Sequence, residues 1–353
     1  MPLPMRSTHQ HRRNDAATDP FQEETRVPSF GVQLLGGRFR FETRSSQLRQ
    51  LVKSAYEHLP SHRLAVPPRA FRIKLVLLAT DGARSLPTLA RPHLFSSAAM
   101  LGGATPASNF AVVAPDQRTG IIVVSSAALR HSYEIRYELI EFAVFTLAAR
   151  VQRLIPLHAA CVGRHGRGLI LIGDSGAGKS TLTLQCGLNG FELLCEDSLF
   201  VTAKTLSLTG VANFLHLRRD SLRFLPADIA ALVRNSPQIR RRSGIQKFEI
   251  DLRRPPFRLA PAPLRLAGLV FMTGKSSRAG RPIVPLEADE VKRRLEATQP
   301  YAAHQEGWPT FMKRMGGIAA YELARSPHPR EAVTALKHIL AKTSARDAGP
   351  SES

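Results

Sequence analysis

Gly173-Asp174-Ser175-Gly176-Ala177-Gly178-Lys179-Ser180 satisfies the pattern GxxxxGK[ST] at every fixed position, and Thr181 follows it. Each residue type has a physical task. Glycines let successive backbone N–H groups curl inward around phosphate oxygens. A helix starting at Lys179 aims its positive end at the same anion. The Lys179 ammonium reaches the β- and γ-phosphates, and the Ser180 hydroxyl suits Mg²⁺. A plain glycine turn ahead of a structural helix gives no reason for the Lys179-Ser180 pair. Residues 173–181 are therefore read as a cradle for ATP and Mg²⁺.

Two carboxylates follow at Glu196-Asp197. A helix of ~10 residues advances ~15 Å, and a strand of ~5 residues at ~3.3 Å each returns about that far. If residues 191–195 run back along the helix, the pair arrives beside the phosphates. Carboxylates there have two tasks in phosphoryl transfer. One accepts the proton of an attacking hydroxyl and the other holds the metal. The plainer alternative is an ordinary acidic turn between strands. His158 precedes the hairpin that leads into the glycine loop. In an antiparallel hairpin the start of the first strand lies beside the end of the second, so His158 should approach Gly173. There it can place the nucleophile, assist proton transfer or bind a phosphate oxygen. A hydrogen-bonded structural histidine is the alternative.

These residues need elements to hold them. Residues 28–150 read as a small α+β domain. In it, residues 30–42 alternate apolar and polar side chains around Gly36-Gly37, as a strand–turn–strand does. Ser45 or Ser46 can cap a helix running to about His58. Residues 71–79 and 120–125 are apolar, β-branched strand candidates. Residues 133–153 have helical spacing, with Leu139, Phe142, Ala143, Phe145 and Thr146 near one face. Residues 151–342 make a second unit. It opens with a hairpin turning at 163–168, a strand at 169–172 and the glycine loop. A helix over 179–188 follows, ended by Asn189-Gly190. Further strands are expected at 191–195, 199–202, 247–252, 266–272 and 318–323, with a last helix over 329–340. Residues 1–27 read as a flexible leader, 343–353 as a frayed tail, and the basic run 234–242 as an exposed loop.

Residues 157–201 resemble the HPr kinase/phosphorylase family, in particular its catalytic domain and the shorter HPr-kinase-like proteins. The likeness rests on the hairpin histidine, the GDSGAGKS loop and the acidic pair soon after the loop helix. His158 stands fifteen residues before Gly173, and Glu196 seventeen after Lys179, intervals that fit the family. The second interval is too short for motor or transporter ATPases, and no LSGGQ-like signature is present. The resemblance implies an α/β fold with a mixed sheet. This is a P-loop kinase domain of the HPr kinase/phosphoenolpyruvate carboxykinase type, preceded by the small α+β domain. It implies ATP-dependent phosphorylation of a serine hydroxyl. Glu196 matches the family's catalytic base, the first acid of an Asp-Asp pair. Asp197 matches the second acid and is expected to position Mg²⁺ with Ser180. His158 matches the family histidine, and Lys179 would hold the transferring phosphoryl group.

The sequence also departs from the family. Residue 196 is Glu where the family has Asp. The glycine- and asparagine-containing signature that supports phosphorolysis in true HPr kinases is absent, so the reverse reaction is not expected. The layout looks more like HPr-kinase-like proteins encoded with ribosomally made peptides, some of which phosphorylate a serine of a lasso precursor. The implied partner is a peptide or small protein bearing a serine. The family tends to form rings, which implies a homo-oligomer. A small-molecule acceptor, such as an amino acid or sugar, and a non-catalytic ATP-gated binding module are the alternatives.

Composition sets outer limits. The chain has 353 residues, 43% of them hydrophobic, enough for two domains with cores. Lys and Arg number 49 against 28 Asp and Glu, a formal charge of +21. That suits acidic partners, and equally a solvated Arg-rich surface. Arg241, Arg242, Lys247 and Arg254 can clamp an acidic peptide or the transferring phosphate. No recognisable nucleic-acid module accompanies the charge, so nucleic acid is not the expected partner. Cys161, Cys186 and Cys195 show no CxxC pairing, as in a reduced cytosolic protein. No apolar run reaches the ~18 residues of a spanning helix, and the N-terminal stretch is not apolar. The expected location is the cytoplasm, without a membrane partner.

Overall fold

The computed structural model describes residues 27–79, 91–97, 99–105, 108–276, 283–326 and 328–347. Residues 1–26 and 348–353, most of the expected leader and tail, lie outside the described residues. The architecture is mixed α/β, with three sheets among the described residues.

The first sheet has seven strands: β1 (Ser29–Leu34), β2 (Gly37–Glu42), β3 (Ala70–Leu78), β4 (His93–Ser96), β5 (Leu101–Ala104), β6 (Phe110–Ala114) and β7 (Thr119–Ser125). They lie in the order β1-β2-β3-β7-β6-β5-β4. The β1–β2 hairpin turns at Leu35 and Gly36, with φ of 50° and 77°. Two left-handed residues give the turn whose twist matches that of the strands. Phe39, Phe41 and Phe71 point inward and stack, while Arg38 and Arg40 alternate with them. The Ser45 hydroxyl caps the helix Ser46–Tyr56 by accepting from the Leu48 N–H at 3.2 Å, which satisfies one of its orphan donors.

Residues 132–152 are helical, but residues Arg136–Ile140 form a π turn. Such a turn carries an extra residue and tends to mark functional positions. Here Arg136 and Tyr137 reach Glu249 and His216, while Leu139, Ile140, Ala143 and Val144 fill the first core. The expected apolar face is thus split. Phe142, Phe145 and Thr146 are only half-buried.

The second sheet has ten strands: β8 (Leu154–His158), β9 (Ala160–Arg164), β10 (Arg167–Ile172), β11 (Glu192–Cys195), β12 (Ser198–Thr202), β13 (Ser207–Gly210), β17 (Arg258–Leu259), β18 (Leu264–Ser276), β19 (Ile283–Pro285) and β20 (Ala320–Arg325). Its main path is β17-β11-β9-β10-β18-β13-β12-β8, with β20 beside β18 and β19 beside β20. Alternation along β10 serves both faces. Leu169 and Leu171 pack with the helices Lys179–Leu188 and Pro329–Asp347. Ile170 and Ile172 face the side covered by the helices Ala288–Thr298 and Trp308–Met315.

A third sheet, β14 (Phe214–Leu217), β16 (Gln246–Asp251) and β15 (Gln238–Arg240), runs in the order β14-β16-β15. The basic run expected as an exposed loop is in part β15. Ile239, one apolar residue between polar ones, is buried against the sheet and pairs with Lys247. The last helix also outruns its expected end at 340. It continues to Asp347, with Thr343 buried and its hydroxyl bonded to the Ile339 carbonyl at 3.0 Å.

Hydrogen bonds tie residues before 150 to residues after it. Asn213 donates to the Ala55 carbonyl at 3.1 Å, and Arg253 to the Ser54 carbonyl at 2.9 Å. His62 is buried between Thr209 at 2.7 Å and the Ala260 carbonyl at 3.0 Å. Leu154, Phe200 and Val211, all beyond residue 150, join the first core.

Candidate functional site

The glycine loop leaves the C-terminal end of β10 and enters the helix Lys179–Leu188. Gly176 and Gly178 take φ of 91° and 98°, a region that side-chain-bearing residues rarely adopt. Gly173 is required for another reason: a Cβ there would stand 2.8 Å from the Met272 carbonyl of β18. Lys179 is buried and folds back to donate to the Gly173 carbonyl. Thr181 shares a hydrogen bond of 2.8 Å with Ser221.

The sheet order delivers the carboxylates. β9 lies antiparallel between β10 and β11, so β10 and β11 run the same way. Their C-terminal ends therefore lie at the same edge of the sheet, on either side of β9, one carrying the loop and the other Glu196-Asp197. The chain changes partners at this point. Before Ala159, β8 pairs with β12, with His158 opposite Ser198, and after it β9 pairs with β10 and β11. The Asp197 carbonyl accepts from the Ala159 N–H at 3.2 Å. Gln299, itself buried, brackets the His158 backbone, accepting from its N–H at 2.8 Å and donating to its carbonyl at 3.3 Å.

Within this junction the side chains form two pairs. Ser180 donates to Glu196. His158 Nδ1 lies 3.1 Å from Asp197 Oδ1. Asp197, expected from the sequence to share the metal with Ser180, here meets His158, and Glu196 meets Ser180. Exposure separates the pairs: the Glu196 side chain is 8% exposed and that of Asp197 34%. A cleft of ≈ 430 Å³ takes in the whole loop Asp174–Thr181 by residue, with His158, Glu196 and Asp197. His158, Lys179, Ser180, Glu196 and Asp197 are thus brought to one place.

A buried polar chain backs Glu196, and none of its members was singled out in the sequence. His216, 1% exposed, has Nε2 3.1 Å from Glu249 Oε1 and Nδ1 3.9 Å from Glu196 Oε2. Arg136 pairs with Glu249 and lies over the Phe214 ring at 4.3 Å. The Tyr137 hydroxyl stands 3.2 Å from the His216 nitrogens. The signal for this chain lies in alternation. Leu215 and Leu217 flank His216, and Phe248 flanks the polar face Lys247 and Glu249, each strand burying its apolar set in the core. Register then sets His216 opposite Glu249.

Electrostatics follow this layout. Burial alone would raise the Glu196 carboxyl, but the imidazole of His216 and the Ser180 hydroxyl outweigh it and hold it below the ordinary value. Burial and the charge of Glu196 raise Asp197, against the pull of His158 and Lys179. His216 is raised: its carboxylate neighbours Glu196 and Glu249 overcome desolvation.

Of the basic residues named from the sequence, Arg241 and Lys247 line the cleft. Burial and the Arg241 charge lower the Lys247 pKa. Arg242 instead pairs with Glu138 at 3.1 Å, and Arg254 is an exposed partner of Asp251. The three cysteines are free and buried. No helix among the described residues is long and apolar enough to cross a membrane.

Hard oxygen donors suit magnesium, which takes one or two protein ligands and completes its shell with phosphate and water. Ser180 and Glu196 fit that requirement. Among the described residues, no group of three or more His, Cys, Asp or Glu is arranged to hold a metal.

No family model matches the chain, and no curated protein does. Among solved structures, the Hpr(Ser) kinase/phosphatase from Coxiella burnetii is similar at 13% identity and a TM-score of 0.30, over 55% of this chain and 94% of that one. A likeness at that score carries no functional argument.

Proposed function

We propose that the chain is an ATP-dependent phosphotransferase whose acceptor is an alcohol, the serine hydroxyl of a peptide or small protein. One observation carries this reading. Lys179, Ser180, Glu196, Asp197 and His158 line a single cleft on a loop with the glycine pattern of a phosphate cradle. Loop N–H groups of residues 174–179 and the Lys179 ammonium hold the triphosphate. Ser180 and Glu196 would hold Mg²⁺, which, bound with the nucleotide, would offset charge on the β- and γ-phosphates. Asp197, oriented by His158, accepts the acceptor's proton. The acceptor oxygen forms its bond to the γ-phosphorus as the bond from that phosphorus to the ADP oxygen breaks.

This assignment exchanges the tasks that the family resemblance gives to the two acids. It is supported by burial: Glu196 is enclosed between Ser180 and His216, while Asp197 is the more exposed acid. A carboxylate with a raised pKa is also the better proton acceptor. Arg241 and Lys247 can offset charge on the moving phosphoryl group. In this reading residues 28–150 are a unit that walls the acceptor side, and residues 151–342 are the catalytic unit.

The test is transfer of label from γ-labelled ATP, with Mg²⁺, to serine-bearing peptides encoded near the gene. Labelled peptide is expected from the wild type, and about 10²–10⁴-fold less from Asp197→Asn, with ATP binding retained. Undiminished transfer by that variant would refute the assignment. Label appearing in a small metabolite instead would replace the peptide acceptor, and tight ATP binding without any product would leave a binding module.

A further inference from the structure

His158 and Asp197 border a second cleft, of ≈ 580 Å³. Both clefts share this pair, yet their linings differ in character. The first is lined by the glycine loop, Lys179, Arg241 and Lys247. The second is walled by Leu94 and Phe95 of β4, by Phe142 and Phe145 of the helix Glu141–Gln152, and by Phe200 and Tyr301. Eight large hydrophobic side chains are exposed among the described residues, and Leu94, Phe95 and Tyr301 are three of them. Apolar groups gathered at one exposed place mark a binding surface more than scattered ones do.

β4 adds a second kind of group. It is the last strand of its sheet and pairs, among the described residues, with β5 alone. Its other edge can offer backbone N–H and C=O groups to an extended chain. A volume of ≈ 580 Å³ also lies well inside the ~300–1,000 Å³ of sites that enclose drug-sized ligands. A free amino acid or sugar would leave much of the apolar wall bare.

We propose that this second cleft is the acceptor subsite and takes an extended peptide with bulky apolar side chains on one flank of its serine. The assignment rests on the phosphotransferase reading for what happens at Asp197. The spacing of the anchor follows from the strand. Phe200, three residues beyond Asp197 on β12, is buried beneath the cleft and backs the half-buried Phe145 of its wall, with ring centroids 5.3 Å apart. At ~3.3 Å per residue, the apolar anchor belongs two or three residues from the serine.

The experiment uses fluorescein-labelled serine peptides that differ only within three residues of the serine. Anisotropy is measured on the full chain with Mg²⁺ and a non-hydrolysable ATP analogue, and label transfer from ATP is measured in parallel. Peptides with Leu or Phe two or three residues from the serine are expected to bind at least ~10-fold tighter than those with Asp or Gly there, an increment of the size a buried side chain gives. Leu94→Asp and Tyr301→Asp are surface changes, 65% and 72% exposed in the wild type. Each should reduce that preference while leaving affinity for the ATP analogue unchanged. Equal binding across the peptides, or a preference untouched in both variants, overturns the proposal. Transfer without apolar preference sinks the cleft assignment and spares the kinase reading. Apolar preference without transfer supports the cleft as a peptide site and sinks the kinase reading.

Discussion

Glu196 and Asp197 are adjacent in the chain but titrate in opposite directions, Glu196 lowered and Asp197 raised. The difference gives a pH test. If Asp197 accepts the proton, kcat falls as pH drops through a pKa above the ordinary aspartate value of 3.8. That acid limb should be missing from the pH–rate profile of Asp197→Asn, and a limb that persists there would assign the base elsewhere. Lys179 and the acid pair were legible in the sequence through loop spacing and one strand's return length; His158 was expected there from the hairpin, but arrives on β8, paired with β12. His216 and Glu249 were not legible. They sit on β14 and β16, and only the register of those strands sets them face to face.

At the scale of elements, β14, β16 and the π turn form a buried charged layer behind the site. Removing one partner of a buried ion pair leaves the other uncompensated, at a cost of ~3–5 kcal/mol. Arg136→Met should therefore destabilise by about that amount in urea unfolding, and Arg136→Met with Glu249→Gln by clearly less. The same layer makes stability depend on pH. Glu249 is lowered, its burial outweighed by His216 and Arg136. Its stabilisation is present above the ordinary carboxylate value and lost as pH falls through its lower folded one. His216 is raised, so its contribution is full below 6.5 and lost as pH rises through the higher folded value.

Glu141 behaves oppositely to Glu249. Burial, against Arg136 and His216, raises it to about 8. Unfolded, it ionises near 4.5, so its burial costs stability increasingly as pH climbs from there to about 8. Glu141→Gln is expected to gain in Tm over the wild type as pH goes from 5 to 8, and a constant difference would contradict this. The hairpin, the Ser45 cap and the loop helix were legible because each is specified within about a dozen residues. The π turn was not, and its Arg136 has its partner Glu249 far along the chain. β15 was missed because one apolar residue among arginines gives no pattern until β16 lies beside it.

Across the whole molecule, the ten-stranded sheet sets the loop and the acid pair at the C-terminal ends of β10 and β11, with β9 between them, and Arg136 and Tyr137 reach Glu249 and His216 behind Glu196. Individual strands and helices were readable from alternating periods and the mixed α/β class was implied by the family resemblance, but the strand order was not legible, since β17, β11 and β9 are paired over long separations. A charge of +21 should make binding of acidic ligands fall with salt. The central claim is that the loop Gly173 to Thr181, with Glu196, is a Mg²⁺·ATP site. Calorimetric titration of ATP into the full chain tests it most directly. The expected result is saturable binding that needs Mg²⁺ and weakens at least ~30-fold in Lys179→Ala, about 2 kcal/mol. No binding by the wild type, or equal binding by both proteins, would contradict the claim.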